Sequence, residues 1–324
     1  MKIKERIVIT GAAGFIGSHL CDYFVDNDYE VVGLDNFATG FKKNIAHIRS
    51  KPNFSFMEGD IRDLNVCKQA ISGADYVLHQ AALGSVPRSI SDPMQTNEVN
   101  ISGFLNVLIA SHEAGVKKVV YAASSSTYGS SEQLPKVEET IGKPLSPYAI
   151  TKYVNELYAD VFFNTYGLNT IGLRYFNVFG PRQDANGAYA AVIPKFVKGL
   201  MTEGIITLNG DGSYSRDFTY IENVVQANVK ALLATSDHAN NTVFNVACGD
   251  RTTLNELLEI LKELLVYHHI KVDDVTIIHG PLRPGDVPHS QASIEKAKDL
   301  LNYVPEYNVR QGLEESVAWY IENL

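Results

Sequence analysis

Three features of this 324-residue chain predict an α/β fold built on a doubly wound parallel sheet. Short apolar runs recur along the chain, each followed by a stretch with helical spacing. The first run enters its helix through a glycine-rich turn. The intervals between runs are long enough for the crossovers that parallel strands require. Ile7-Val8-Ile9 opens the pattern, ends in Thr10-Gly11, and leads into a helical stretch from about Phe15 to Val25. Strands are predicted at Glu30 to Asp35, Phe54 to Gly59, Tyr76 to His79, Lys118 to Ala122 and Thr170 to Arg174. Helical patterns cover about Glu98 to Glu113 and Ala149 to Asn164. This is a Rossmann-like arrangement.

After Tyr175 the rhythm changes. Gly180-Pro181, Asn186-Gly187 and Asn209-Gly210-Asp211-Gly212 are turn clusters between shorter elements, which predicts a smaller mixed α/β lobe. A helix over Ile221 to Thr235 and a strand over Val243 to Ala247 are expected to return to the main sheet before Leu254 to Leu265 resumes the lobe. The expected division is therefore interleaved: residues 1–176 with 217–248 in a dinucleotide-binding domain, and 177–216 with 249–324 in a substrate-binding domain.

Composition narrows the function. The chain is 45% apolar, 20% charged and 10% aromatic, as globular proteins are. Its 28 Lys and Arg against 37 Asp and Glu give a net charge of −9, which argues against non-specific binding to nucleic acid or anionic membranes. Cys21, Cys67 and Cys248 are an odd, widely spaced set, which suggests neither a disulfide framework nor zinc and makes a reducing cytoplasm the default. No apolar run approaches the length of a membrane span. His268-His269 lacks the spacing of a ligand pair, so no metal is expected.

Gly11, Gly14 and Gly17 form a GxxGxxG between the first strand and the first helix. The first permits a tight turn, the second lets backbone approach a pyrophosphate, and the third lets helix and strand pack closely. The phosphates would then meet the free N–H groups of a helix N-terminus. Asp35 ends the second strand at about the offset of 20 residues expected for an acid that bonds the adenosine ribose, and an acid there favours NAD over NADP. Asp60-Ile61, after the third strand, is placed to meet adenine.

Tyr148 and Lys152 stand at i and i+4 in a helical stretch, so both project from one face. Ser124, Ser125 and Ser126 follow the fifth strand, at the sheet end where open α/β folds bind ligands. A phenol with a pKa of about 10 is a poor base at neutral pH, and a nearby ammonium favours the phenolate. Such a base removes the proton of an alcohol as hydride leaves the same carbon, while a Ser hydroxyl orients the oxygen.

These residues, with the segments TGAAGFIGSHL, LDN, GDIRD, HQAA, SSSTYG, PYAITK, LRYFNVFGPRQ, NGDGSYSRDF and RPGD, resemble the extended short-chain dehydrogenase/reductase family and its nucleotide-sugar 4-epimerases. The segments NGAYAAVIPKF and RPGDVPHSQA look most like the UDP-N-acetylglucosamine (UDP-GlcNAc) 4-epimerases of surface-polysaccharide pathways. The resemblance implies Tyr148 as base, Lys152 as the residue lowering its pKa and holding the nicotinamide ribose, and Ser124 as the hydroxyl shared with sugar O4. It implies cofactor contacts at Gly11, Gly14, Phe15, Ile16, Asp35, Asn36, Asp60, Ile61, Ala81, Ala82, Asn100 and Phe176. It places the substrate against Gly84, Ser85, Ser125, Ser126, Asn177, Ala191, Val192, Arg216, Arg283, Asp286 and Ser290, with the two arginines suited to a diphosphate. Gly84 stands where glucose-specific relatives often carry Lys, and Ser290 where a bulky aromatic closes the sugar pocket, so room for a 2-acetamido group is expected.

The reaction so implied interconverts UDP-GlcNAc and UDP-GalNAc through a 4-keto intermediate with retained NAD. UDP-glucose and UDP-GlcNAc-uronate are alternative substrates. A 4,6-dehydratase would carry Asp-Glu where this chain has Ser125-Ser126, and a non-catalytic NAD sensor would have lost the Ser-Tyr-Lys set. A homodimer, paired through the helices near residues 98–113 and 149–164, is expected from the same resemblance. His79 is expected to be buried and hydrogen-bonded, Lys42-Lys43 and Lys117-Lys118 to be solvated pairs, and Arg182 has no role that the sequence supplies.

Overall fold

The structure, a computed structural model, describes residues 5–184, 191–272, 275–281 and 287–324. The strands are β1 (Arg6–Thr10), β2 (Glu30–Asp35), β3 (Phe54–Glu58), β4 (Tyr76–His79), β5 (Lys118–Ser124), β6 (Thr170–Tyr175), β7 (Val178–Phe179), β8 (Ile205–Asn209), β9 (Ser215–Arg216), β10 (Thr219–Tyr220), β11 (Thr242–Val246), β12 (Thr252–Thr253) and β13 (Thr276–Gly280). The helices are α1 (Phe15–Asp26), α2 (Leu64–Ile71), α3 (Val86–Ser91), α4 (Pro93–Asn97), α5 (Phe104–Glu113), α6 (Pro147–Tyr166), α7 (Val192–Lys198), α8 (Ile221–Leu233), α9 (Leu254–Tyr267), α10 (Glu295–Leu301) and α11 (Val309–Asn323).

Seven strands form one parallel sheet in the order β11-β6-β5-β4-β1-β2-β3. Side chains alternate between its faces. Ile7 and Ile9 pack on one side with Leu20 and Phe24 of α1 and Val224 of α8. Val8 packs on the other with Cys67 of α2, Phe104 and Leu108 of α5, and Phe162 of α6. Burial on both faces explains why the strands read as unbroken apolar runs. The predicted strands are all present, and β11 joins the sheet edge beside β6.

The helices differ from expectation at their N-terminal ends. α6 begins earlier because Ser146 caps it, accepting from the Ala149 N–H at 3.1 Å, with Pro147 in the first turn. The stretch expected as one helix from Glu98 begins instead as a π-helical turn over Glu98–Gly103 before α5. Two short helices the apolar pattern does not announce precede it, capped by Ser85 and Asp92.

Beyond the sheet, three two-stranded ribbons form: β7 with β10, β9 with β12, and β8 with β13. A capping box between Thr253 and Glu256 starts α9. Lys118 departs from its predicted exposure. It is buried, and its ammonium donates to the carbonyls of Ala231, Leu232 and Ala234 at 3.2, 3.3 and 2.6 Å, closing the C-terminal end of α8. Its neighbour Lys117 follows the pattern more closely, half-exposed and paired with Asp75 and Glu5.

Candidate active site

A cleft of about 390 Å³ opens over the C-terminal ends of β1, β2, β4 and β5, the end where open α/β sheets gather functional groups. Its first wall is the glycine turn. Gly11 has φ +69°, and a Cβ there would lie 2.7 Å from the Ala81 backbone nitrogen. Only glycine fits both the dihedral and the space. The Gly11 N–H donates to Leu34 O at 2.8 Å, and the Gly14 N–H to Gly11 O at 3.0 Å. Gly14 caps α1 without a side chain, and no acidic residue stands in the first turn, so the N–H groups and positive dipole end of a twelve-residue helix face the cleft.

Asp35 is buried at the end of β2. One carboxylate oxygen accepts from Ala13 N–H at 2.9 Å and the other from Phe37 N–H at 2.7 Å. Burial raises its pKa, and these bonds oppose the rise. Two lone-pair directions remain for a pair of hydroxyls. Asp60 accepts from Asn36 Nδ2 at 2.8 Å and Arg62 Nη2 at 2.8 Å, and these bonds hold its carboxyl down to about 2. These features fit a dinucleotide: a pyrophosphate at the helix end, a ribose at Asp35, and a base against Asp60 and Ile61.

The reactive groups converge in the same cleft. Ser124 ends β5, and Ser126 donates to its hydroxyl through both N–H (3.1 Å) and Oγ (2.8 Å). Lys152 is buried on α6 and donates to Ala122 O at 2.8 Å. Tyr148 is partly open to the cleft, with its phenol interacting with the Ser124 hydroxyl. Desolvation pushes the phenol above its ordinary value and Ser124 draws it back. Burial lowers Lys152 to about 8, with Glu156 opposing the fall. Burial thus works against the charged form of both groups, and a further positive charge at the site would favour the phenolate.

Of the sequence-derived positions, Gly11, Gly14, Phe15, Ile16, Asp35, Asn36, Asp60, Ile61, Ala81, Ala82, Gly84, Ser124, Tyr148 and Lys152 line the cleft. Asn100 sits behind the wall in the π-helical turn. It accepts from Leu83 N–H at 2.8 Å and donates to Leu83 O at 3.2 Å, fixing the strand-end loop in place. Phe176 is fully buried against Tyr128, whereas Tyr175 lines the cleft with its hydroxyl bonded to Gln80 and Asn228. His79 is buried, bonded to Thr10 Oγ1 at 2.8 Å and lowered to about 3 by burial.

Ser125 and Ser126 form the turn after Ser124, and Ser85 caps α3. Asn177 has φ +33° and donates to Asp217 O at 3.2 Å. Ala191 and Val192 begin α7. Arg216 donates to Ser215 O and Pro288 O, beside buried Ser290, whose N–H donates to Ser215 O at 3.1 Å. Arg283 and Asp286 lie outside the described residues. Sequence reasoning missed Arg62, Gln80 and Tyr175, although each adjoins a residue or motif it used: Asp60-Ile61, HQAA and LRYFN.

A model of the NAD dependent epimerase/dehydratase family matches residues 7–247. The chain belongs to that family. As an NAD-dependent enzyme of this family it is similar, at 35% identity over 98% of the chain and 99% of the relative, to a putative UDP-glucose 4-epimerase of Methanocaldococcus jannaschii. The UDP-N-acetylglucosamine 4-epimerase of Methanobrevibacter ruminantium, solved with UDP-N-acetylmuramic acid, superposes with TM-score 0.91 at 37% identity, covering 99% of this chain and 100% of that one. The UDP-glucose 4-epimerase of Thermus thermophilus, solved with NAD, gives 0.86 at 32% identity, covering 98% and 100%. Among the described residues of this epimerase/dehydratase family member, no helix is long and apolar enough to cross a membrane.

Proposed function

We propose that the protein is a UDP-GlcNAc 4-epimerase, interconverting UDP-GlcNAc and UDP-GalNAc for surface-polysaccharide precursor synthesis in the cytoplasm. The observation that carries the reaction class is the convergence of Ser124, Tyr148 and Lys152 in the cleft whose other end is the Gly11–Asp35 cradle. NAD, when bound, supplies the hydride acceptor and donor for C4 and a positive charge that favours the Tyr148 phenolate. Ser124 orients O4 and Tyr148 takes its proton, then returns it after the 4-keto sugar has rotated to present its other face. Binding energy from the unreacting UDP retains that intermediate, a role assigned here to Asn177, Ala191, Val192, Arg216, Arg283 and Asp286.

The N-acetyl preference rests on open space. A Cβ built on Gly84 would meet nothing within 4 Å, so this exposed stretch of the cleft rim adds no bulk against a C2 substituent. Ser290, small and buried, adds no bulk beside Arg216. A homodimer is part of the proposal. Val161 and Tyr166 of α6 are half-exposed apolar residues beside Leu105 and Ile109 of α5, a face suited to a second copy.

The test is product analysis by chromatography or NMR after incubation with UDP-GlcNAc, UDP-glucose or UDP-GlcNAc-uronate without added NAD. Fastest conversion of UDP-GlcNAc to UDP-GalNAc is expected. Preference for UDP-glucose or the uronate would overturn the substrate assignment and leave the 4-epimerase chemistry in place.

A further inference from the structure

Tyr148, Lys152 and Glu156 are spaced i, i+4, i+8 along α6, on one side of the helix. Glu156 is buried, and Arg174 of β6 grips its carboxylate with two parallel bonds, Nε to Oε1 at 2.9 Å and Nη2 to Oε2 at 2.8 Å. The remaining nitrogen of the fork, Nη1, donates to Glu138 O at 3.0 Å. The guanidinium carbon stands 4.8 Å from the centroid of the Tyr128 ring, in the turn that follows Ser124. In the sheet register Arg174 lies beside Ala123, between Ala122, whose carbonyl holds Lys152, and Ser124. One guanidinium thus ties together the helix carrying Tyr148 and Lys152, the strand holding the lysine, and the turn carrying the serine.

Stability alone is a weak reason for such a pair. Two charges removed from water cost about as much as their attraction returns, and apolar replacements of similar size are often neutral or stabilising. We propose that the Glu156–Arg174 pair is a positioning element of the catalytic centre, locking α6 against the Ser124 turn and holding a negative charge one helical turn from Lys152. This rests on reading Tyr148 and Lys152 as the catalytic pair.

The surroundings leave Glu156 to act. From β4, His79 faces Lys152 and is neutral, its pKa lowered by burial. From β5, Tyr121 lies near Glu156, its phenol held protonated by burial. Tyr128 donates to Asn245 Oδ1 at 2.6 Å and is pushed up to about 12. The Glu138 carboxylate is occupied by Asn245 N–H at 2.8 Å, and Asp160 on α6 accepts from Asn164 and Asn241. Among the described residues, Glu156 is the carboxylate that opposes the loss of the Lys152 proton.

The test compares Glu156→Gln, Glu156→Asp and the double variant Glu156→Leu/Arg174→Met through kcat/KM against pH, with melting temperature as the control for folding. Removing the charge lets Lys152 lose its proton sooner, so the alkaline limb of the Glu156→Gln profile is expected to move down by about one pH unit. At a pH on that limb this is roughly a tenfold loss, carried in kcat rather than KM. Glu156→Asp keeps the charge and is expected to keep the limb in place at a reduced kcat. The double variant, expected to fold, shows the shifted limb without an unpaired arginine. A folded Glu156→Gln with an unshifted limb would overturn the proposal, as would an equal shift in Glu156→Asp. If Glu156→Gln does not fold, the double variant decides by the same limb; failure of all three to fold assigns the pair to stability and also overturns the proposal. Turnover retained by Tyr148→Phe would instead sink the underlying reading of the catalytic pair.

Discussion

The two ends of the molecule share an apolar core and differ in the backbone pairing behind it. The cofactor end rests on a seven-stranded sheet buried on both faces, where backbone ladders and apolar side chains do the holding. The lobe beyond β6 has only two-stranded ribbons among the described residues, and two strands alone are marginal in water. Apolar packing of α7, α9 and α11 fills its interior, and buried polar side chains join it to the segments that return to the sheet. Asp217 accepts from the N–H groups of Cys248, Gly249 and Ala292 at 2.9, 3.1 and 3.2 Å. Asn223 accepts from the N–H groups of Glu306 and Tyr307 and donates to Tyr307 O at 2.7 Å. A sheet built from its own backbone suits a cofactor that stays bound. The lobe is joined to the returning segments through single buried side chains, and changing one of them removes several hydrogen bonds at once.

That contrast is open to direct attack, and the largest effect lies where the two ends meet. Tyr148→Phe removes one hydroxyl and nothing of the fold, so melting temperature and bound NAD should be unchanged. Turnover should fall by about 10²- to 10⁴-fold, the usual contribution of a positioned acid or base. An unchanged rate would reduce Tyr148 to a wall of the cleft.

Gly11→Ala attacks the cofactor end alone. The positive φ costs about 1–2 kcal/mol in any residue with a Cβ, and the new atom meets the Ala81 backbone at 2.7 Å. A drop of about 1–3 kcal/mol in stability is expected, together with loss of copurifying NAD measured from the denatured protein. A destabilised variant that still carries its full complement of NAD would show that the turn serves the fold and not the ligand.

Legibility in the sequence follows the same division. The strands, the glycine turn, Asp35, and the Ser124, Tyr148 and Lys152 set depend on local spacing, because backbone period and turn chemistry act over a few residues. Lys118 was misplaced because its partners, the last carbonyls of α8, lie more than a hundred positions away. Phe176, expected beside the nicotinamide, packs against Tyr128 just past the end of β6, while Tyr175, the last residue of the strand, lines the cleft. The π-helical turn at Asn100 arises beside a bond pair to Leu83, which no periodicity announces. Arg174 and Glu156 belong to strand and helix patterns that would accept many residues, so only their meeting in space marks them.

A third test addresses the other end, through the pH dependence of stability. Burial pushes the Asp217 carboxyl up to about 7, while its three backbone donors pull it down. Its folded value thus stands above the value of about 4 expected when unfolded. A group raised in this way contributes stability that is fully present below the unfolded value and is lost as pH rises through the folded one. Asp217→Asn cannot ionise, so the advantage in unfolding free energy of the native protein over this variant should fall steadily from pH 4 to pH 7. Denaturant melts at a series of pH values measure it. The amide turns its own hydrogens toward N–H donors, so at low pH the variant should be the less stable of the two, by about 1–3 kcal/mol. A pH-independent difference would show that the folded and unfolded values coincide, with the three donors cancelling the effect of burial and the carboxylate ionised at neutral pH. The lobe would then be tied by a permanent charge, as a helix end holds an anion, rather than by a group whose protonation changes near neutral pH.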